Sequence, residues 1–443
     1  MHLIATKLVG DLQLLIPKER ILEGENSHHP LGNGGQVSVF PTSEEEIAAV
    51  LKYANDHGKT ITVMGGGTKR GFGGLTESAD ILLSLANYKG IVEHTVGDMT
   101  LTVKAGTTFQ ELQDYLAKYK QRVSLDPAWP ELATIGGIVV ANESGPKRLG
   151  YGSSRDVVIG LRNVYPDGTV IRSGGKVVKN VAGYDMNKLF IGAMGTLGVV
   201  SEVTVKLRPL AKCESLILVG FPEGNLDAIR TFSKTLLDSM LEPVTLELLN
   251  PSLSQQLSGQ LTYTLAISFE DVESSVRYQE KYIQSIQPSG TSMDILSQEE
   301  AQNFWQQFYT SCPNGSAAYT GQEIEASLKI GVVNLDVLTV IQASEALKNA
   351  FHLQVEAHGG LGHGLCQVNL TGKSEDVVAA IQHLRNRITR LGGYVVVKHL
   401  PLFLRQQVDV WGEKPSYFFL LEGIKAKVDP NRILNPNRFV GGI

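Results

Sequence analysis

The chain has 443 residues, too many for one ordinary hydrophobic core, so two or three domains are expected. An apolar share of 42% and a charged share of 19% describe a globular protein rather than a disordered one. A net charge of -5 leaves no electrostatic footprint for nucleic acid, and no apolar run approaches the ~20 residues of a membrane-spanning helix.

Residues 1–7 lack the charged-then-apolar layout of a signal peptide, so a cytoplasmic location is expected. Residues 1–34 hold one amphipathic segment, then Gly32, Gly34 and Gly35. After Phe40-Pro41-Thr42, the pair Ser43-x-x-Glu46 reads as a capping box. Ile47, Val50, Leu51 and Ala54 follow at helical spacing, and Gly58 closes the helix. A strand over 60–63 then runs into Met64-Gly65-Gly66-Gly67-Thr68-Lys69. Glycine turns freely through positive φ, and successive amide N–H groups in such a turn can converge on an anion, usually phosphate.

A second cycle begins with a strand at 101–103 and a helix capped by Thr108-x-x-Glu111, carrying Phe109, Leu112, Tyr115, Leu116 and Tyr119. A glycine-rich passage follows. It runs through Asp126-Pro127-Ala128-Trp129-Pro130, Thr134-Ile135-Gly136-Gly137 and Asn142-Glu143-Ser144-Gly145-Pro146 to Tyr151-Gly152. Pro166-Asp167-Gly168 between apolar runs predicts a hairpin over 157–173. A helical stretch is expected from Gly183-Tyr184-Asp185 to Met194, then the turn Gly195-Thr196-Leu197-Gly198. The next strand sets Val199, Val203, Val205 and Leu207 against Glu202, Thr204 and Lys206, and Pro209 ends it.

Between 214 and 400 glycines thin out. Strands at 214–220, 244–249 and 261–269 alternate with helices at 226–240 and 272–286. After a connecting helix at 298–309 the order returns: strand 328–333, helix 337–350, strands 353–357 and 365–370, helix 377–391 and strand 394–397. Two βαββαβ units are expected, forming a lid over the preceding domain. The division is 1–34, 35–210, 211–415 and a tail, 416–443, that packs back. Cys213, Cys312 and Cys366 are far apart and form no Cys-x-x-Cys, which argues against a disulfide framework, an iron–sulfur cluster or a zinc knuckle.

Several segments recur in a fixed order. These are Pro41-Thr42-Ser43, Gly65-Gly66-Gly67-Thr68, Ala133-Thr134-Ile135-Gly136-Gly137, Asn142-x-Ser144-Gly145-Pro146, Pro166-Asp167-Gly168 and Gly195-Thr196-Leu197-Gly198. Together they resemble the FAD-binding domain of the vanillyl-alcohol oxidase/p-cresol methylhydroxylase (PCMH-type) superfamily. The tail, with Asp429-Pro430 and Asn435-Pro436, is similar to that of the 2-hydroxy-acid branch. Lys179-Asn180-Val181-Ala182-Gly183-Tyr184-Asp185 resembles the FAD-binding subunits of glycolate dehydrogenases in particular.

The resemblance implies an α+β fold, with a PCMH-type two-subdomain FAD-binding domain and a duplicated ferredoxin-like cap. It implies FAD at the pyrophosphate on Gly65, Gly66, Gly67, Thr68 and Lys69. Asp126, Pro127, Thr134, Gly136, Gly137, Asn142, Ser144, Gly145 and Tyr151 would follow the rest of the cofactor, and Gly198, Val199 and Val200 would touch it from the last strand. Some relatives attach FAD through a histidine in the loop. Thr68 and Lys69 stand in that region and no histidine lies between His57 and His94, so FAD is expected to be non-covalent.

On the substrate side, His399 takes the place of a family histidine that acts as base or substrate contact, and Lys398 replaces the family's glutamate. Histidine titrates near neutrality, and oxidation of an alcohol needs a proton removed as hydride leaves. A family metal motif corresponds to His358-Gly359-Gly360-Leu361-Gly362-His363-Gly364-Leu365, with Leu361 for its aspartate and Leu365 for its second histidine, so no metal is expected. Arg405, Lys398 and Arg438 are candidates to grip a substrate carboxylate.

Two activities follow from the resemblance. One is FAD-dependent oxidation of glycolate or D-lactate, with electrons passing to a quinone, to oxygen, or to an iron–sulfur or second flavoprotein subunit. Such a partner could hold the chain at the inner face of a membrane. The other is a non-catalytic FAD-binding electron-transfer or assembly subunit.

Overall fold

The computed structural model describes residues 2–24, 27–176, 183–222, 225–317, 321 and 323–443. Residues 179–182 of the glycolate-dehydrogenase-like segment lie outside them.

The N-terminal part holds two small sheets. The first contains β1 (Ile21–Glu23), β2 (Gly34–Val39), β3 (Ile61–Met64) and β4 (Ser78–Ser84) in the order β1-β2-β4-β3, with β2 and β3 both parallel to β4. Helix α1 (His2–Leu12) precedes it, and α2 (Glu44–Asp56) links β2 to β3. Ser43 caps α2 by accepting from the Glu46 amide. The Glu46 carboxylate reaches the Thr42 amide and Arg20 instead of closing the box on Ser43.

The second sheet is antiparallel, with β5 (Ile91–Thr95), β6 (Thr100–Lys104), β7 (Val158–Val164), β8 (Val170–Gly174) and β9 (Val199–Lys206) in the order β5-β6-β9-β7-β8. Helix α3 (Phe109–Ala117) carries the full Thr108/Glu111 capping box and stops before Tyr119. The short α4 (Ile135–Ala141) packs on β9. Both sheets and α2–α4 share one apolar core, including Val37, Ile47, Leu51, Leu112 and Val203. The helix expected up to Met194 is only Asn187–Phe190, because Gly192, Met194 and Gly195 all turn through positive φ.

The rest of the chain forms one eight-stranded antiparallel sheet. Its strands are β10 (Cys213–Phe221), β11 (Thr245–Leu249), β12 (Tyr263–Asp271), β13 (Ser292–Ile295), β14 (Ile324–Gly331), β15 (Gln354–Gly360), β16 (Leu365–Gly372) and β17 (Tyr394–His399). Their order is β13-β10-β12-β11-β15-β16-β14-β17. Each half is a βαββαβ unit with spatial order 4-1-3-2, and the units join through their second strands, with Leu249 opposite His358.

Helices α5 (Leu226–Leu237), α7 (Glu273–Ser285), α9 (Val337–Phe351) and α10 (Ser374–Arg390) bury one face of the sheet in a continuous core. On the other face, α6 (Pro251–Ser258) and α8 (Gln298–Thr310) cover the first unit through Leu253, Leu257, Phe304, Trp305 and Phe308. The second unit turns that face toward the N-terminal part. The sequence reading missed α6 and β13. Asn250 as cap and Pro251 at the first helical position mark α6, whereas β13 is a short, mostly exposed edge strand with no apolar alternation.

The tail runs through α11 (Phe418–Val428) back to β3, where the Ile61 amide donates to Ile433 and the Asn435 amide to Ile61, both at 2.8 Å. The buried Lys425 ammonium anchors it, donating to Asp429 (2.6 Å) and to the carbonyls of Thr196 and Leu434. Among the described residues, no helix is long and apolar enough to cross a membrane.

Candidate functional site

Strand β3 ends at Met64, and the triple glycine opens a cleft of about 870 Å³. The three glycines serve different needs. A Cβ on Gly65 would lie 2.1 Å from Thr134 Oγ1, and one on Gly66 would lie 1.7 Å from the Leu132 carbonyl oxygen. Both therefore let the turn press against the segment leading to α4. Gly67 instead needs its φ of +73°. Among the described residues, the amides of Gly66, Gly67, Thr68 and Lys69 donate to no other group of the chain. Four consecutive open donors at a turn suit an anionic group such as a pyrophosphate.

Thr134, Gly136 and Gly137 form the facing wall, and Gly198, Val199 and Val200 the far end. Asn435 ties these walls together: its carbonyl accepts from the Val63 amide, and its NH₂ donates to Met194 and Gly195. The segment after the triple glycine is fastened by Asn33, which donates to the Arg70 and Gly73 carbonyls, and by Arg438, which donates to those of Lys69 and Phe72. Burial brings the Arg438 guanidinium down to about 10.

A second cavity, of about 630 Å³, lies on the open face of the second βαββαβ unit. Three of its residues form a row across the sheet, Lys329 on β14 opposite Gln367 on β16, and Gln367 opposite His358 on β15. From above, the segment after α4 brings in Glu143, Ser144 and Gly145. Asp126 holds that segment by accepting from the amides of Gly145 (2.8 Å) and Lys147 (2.7 Å). Complete burial pushes the Asp126 carboxyl up to about 7 against those two donors.

Glu143 lies between the two cavities, 2.7 Å from Lys398 and 3.4 Å from Lys69 of the triple-glycine segment. Burial alone would raise its carboxyl, but Lys398, Lys69 and Lys329 together hold it at about 2. At the other end, His358 Nδ1 lies 2.6 Å from Glu247, whose carboxylate is almost fully buried, and Phe308 packs edge-on against the imidazole. The nearby His363 makes no hydrogen bond through Nε2, which lies 3.9 Å from Glu247. Among the described residues, no three His, Cys, Asp or Glu side chains are grouped to hold a metal ion.

Several expected site residues stand elsewhere. Pairing of β17 with β14 slips here, Leu328 facing Val397 and Ser327 facing His399, so Lys398 is the extra residue of a bulge. Lys398 enters the cavity. His399 lines neither cavity: it packs where a Cβ on Gly71 would meet its Nδ1 at 2.8 Å, and burial drives it down to about 4. Tyr151 donates to Glu270 of β12 (2.8 Å) and shares that carboxylate with Arg122 and Lys147, a joint between the two parts of the molecule and away from the cleft. Asn142 is the left-handed cap of α4, Pro127 is buried, and neither lines a cavity. Asp126, Ser144 and Gly145 line the second cavity and not the cleft. Arg405 uses four of its five N–H groups on the carbonyls of Leu31, Gly71, Gly74 and Leu400, and it lines neither cavity.

Glu143, Glu247, Lys329 and Gln367 escaped the sequence reading. Glu143 stood inside a recognised motif, but the other three acquire meaning only through strand register.

Residues 35–174 match the model of an FAD binding domain. Along most of its length the chain is similar to the mitochondrial D-lactate dehydrogenase [cytochrome] of Arabidopsis thaliana, with 26% identity over 95% of this chain and 76% of the relative. It is likewise 26% identical to the glycolate oxidase subunit GlcD of Bacillus subtilis, over 90% of this chain and 88% of that one. The solved structure of p-cresol methylhydroxylase superposes with a TM-score of 0.74 over 98% of this chain and 96% of its own, at 16% identity, which speaks for the fold. An open-amide turn and the matched FAD binding domain agree on FAD as the cofactor, and the chain is an FAD-dependent oxidoreductase on a fold shared with p-cresol methylhydroxylase.

Proposed function

We propose that the chain oxidises a small 2-hydroxy acid, glycolate or D-lactate, to the 2-oxo acid. The observation that carries this reading is the second cavity, with cations at one end, a carboxylate-oriented histidine at the other, and the FAD cleft adjoining it across Lys69 and Glu143. When bound, FAD supplies the acceptor for the hydride leaving the hydroxyl-bearing carbon. The relatives named above, a D-lactate dehydrogenase and a glycolate oxidase subunit, support the substrate class.

In this reading the triple-glycine amides hold the pyrophosphate without a covalent link. The substrate enters as an anion, and its carboxylate is drawn to the cationic end of the cavity, where Lys329 lies. Glu247 accepts the Nδ1 proton of His358 and so leaves Nε2 with a free lone pair, a tautomer assigned from this contact. Nε2 then takes the hydroxyl proton as the carbon–hydrogen bond breaks. Phe308, packed edge-on against the His358 ring, and Tyr309 line that end with aromatic surface. The three cysteines form no cluster among the described residues, so electrons pass to a quinone, to oxygen or to a partner subunit.

One observation favours a second reading, a non-catalytic FAD-binding subunit. Glu143 already neutralises Lys398 inside the cavity and Lys69 at its border with the cleft. Anaerobic mixing with glycolate or D-lactate separates the two. Rapid bleaching of the flavin supports oxidation, and a flavin left oxidised by every short 2-hydroxy acid sinks it.

A further inference from the structure

Two ammonium groups line the second cavity, Lys398 and Lys329, and a third, Lys69 of the adjoining cleft, reaches its Glu143. Lys398 and Lys69 share the Glu143 carboxylate at 2.7 and 3.4 Å. Lys329 has no hydrogen-bond or ion-pair partner among the described residues, although it lines the same cavity. It begins the row Lys329, Gln367, His358, whose two strand steps of ~4.8 Å span ~10 Å.

We propose that Lys329 is the receptor for the carboxylate of the 2-hydroxy-acid substrate, set in one cross-strand row with the proton-accepting His358. The assignment rests on the reading that such acids are oxidised here. Lys398 then has a different task, holding Glu143 and the segment that carries it. The charged groups around Lys329 are Lys398, Lys69, Arg148 and Glu143; burial, followed by the Lys398 ammonium, lowers Lys329 to about 8. An arriving carboxylate is therefore received by a charged, unpaired ammonium below that pH and by a neutral amine above it.

Oxalate, a two-carbon dicarboxylate that cannot be oxidised by hydride loss, tests the receptor on the full-length FAD-loaded protein. Its affinity is read from the flavin absorbance change and by calorimetry. Lys329→Met is expected to weaken oxalate at least tenfold with FAD content unchanged, and Lys329→Arg to keep it. The wild-type affinity falls above pH 8, and the Lys329→Arg protein, whose cation does not titrate there, loses that fall. Unchanged oxalate affinity in Lys329→Met, no oxalate binding by the wild type, or a pH dependence that survives in Lys329→Arg overturns the proposal. The arginine profile decides it even if the methionine variant does not fold. Oxalate binding that depends on Lys329 in a protein whose flavin no 2-hydroxy acid reduces keeps the receptor and removes the oxidation reading. Reduction with the same KM in Lys329→Met keeps the oxidation reading and removes the receptor.

Discussion

The Lys398 ammonium lies 2.7 Å from the Glu143 carboxylate, and this contact ties the eight-stranded sheet to the segment following α4 at the boundary of the two cavities. Both groups are well buried, so each depends on the other for its charge.

Lys398→Met leaves Glu143 buried with the more distant Lys69, and a loss of about 3 kcal/mol in unfolding free energy is expected. The double variant Lys398→Met/Glu143→Gln should recover more than half of it, because no buried carboxylate is left without its nearer cation. Denaturant unfolding of the three proteins checks this. The pH dependence has a definite sign: Glu143 lies at about 2 in the folded chain against an ordinary 4.5. Its contribution is present above pH 4.5 and is lost as pH falls toward 2, so Glu143→Gln should flatten the acid limb of the stability profile.

Gly66→Ala places a methyl group against the Leu132 carbonyl, where 1.7 Å is available. The turn must shift and its open amides with it. At least a tenfold loss of FAD affinity is expected, measured as flavin retained per protein, with the cap helices unaffected in circular dichroism.

His358→Asn removes the proposed proton acceptor, and flavin reduction by the best 2-hydroxy acid should slow by ~10²-fold or more. Glu247→Gln loses only the orienting contact, with a smaller decrease of order tenfold. His399→Gln lies outside both cavities and should leave the reduction rate essentially unchanged. Stopped-flow reduction of the three variants separates these roles.

Glu270→Gln leaves Arg122 and Lys147 facing one another without their shared carboxylate. About 3 kcal/mol of stability should be lost. Tyr151→Phe, which removes one donor to that carboxylate, should cost about 1 kcal/mol and leave FAD content unaltered. Thermal unfolding and flavin content provide the two readouts.

Much of the fold was legible because it depends on local rules. The Thr108/Glu111 box, the helix begun at Ser43 and the strand before the triple glycine follow from capping and apolar spacing. The duplicated βαββαβ order was visible as alternating periods, although β13 was missed for lack of any apolar signal. The cofactor wall was readable where glycine is required by backbone geometry, as at Gly66 and Gly67. His399, expected at the substrate end, lines neither cavity, and a one-residue slip between β14 and β17 sends its neighbour Lys398 into the second one instead. No pattern along the chain announces such a slip.

The sequence by itself therefore determined the glycine turn, which rests on residues adjacent in the chain, and through a resemblance carried by motifs in fixed order it implied the class of domain and the FAD cofactor. Only the tertiary structure decided which side chains meet. Lys329, Gln367 and His358 become neighbours through the register of three strands, and Glu143 meets Lys398 across 255 residues of chain. Hydrogen-bonded strand pairing and burial of the opposite sheet face select those contacts, and neither is written in local spacing.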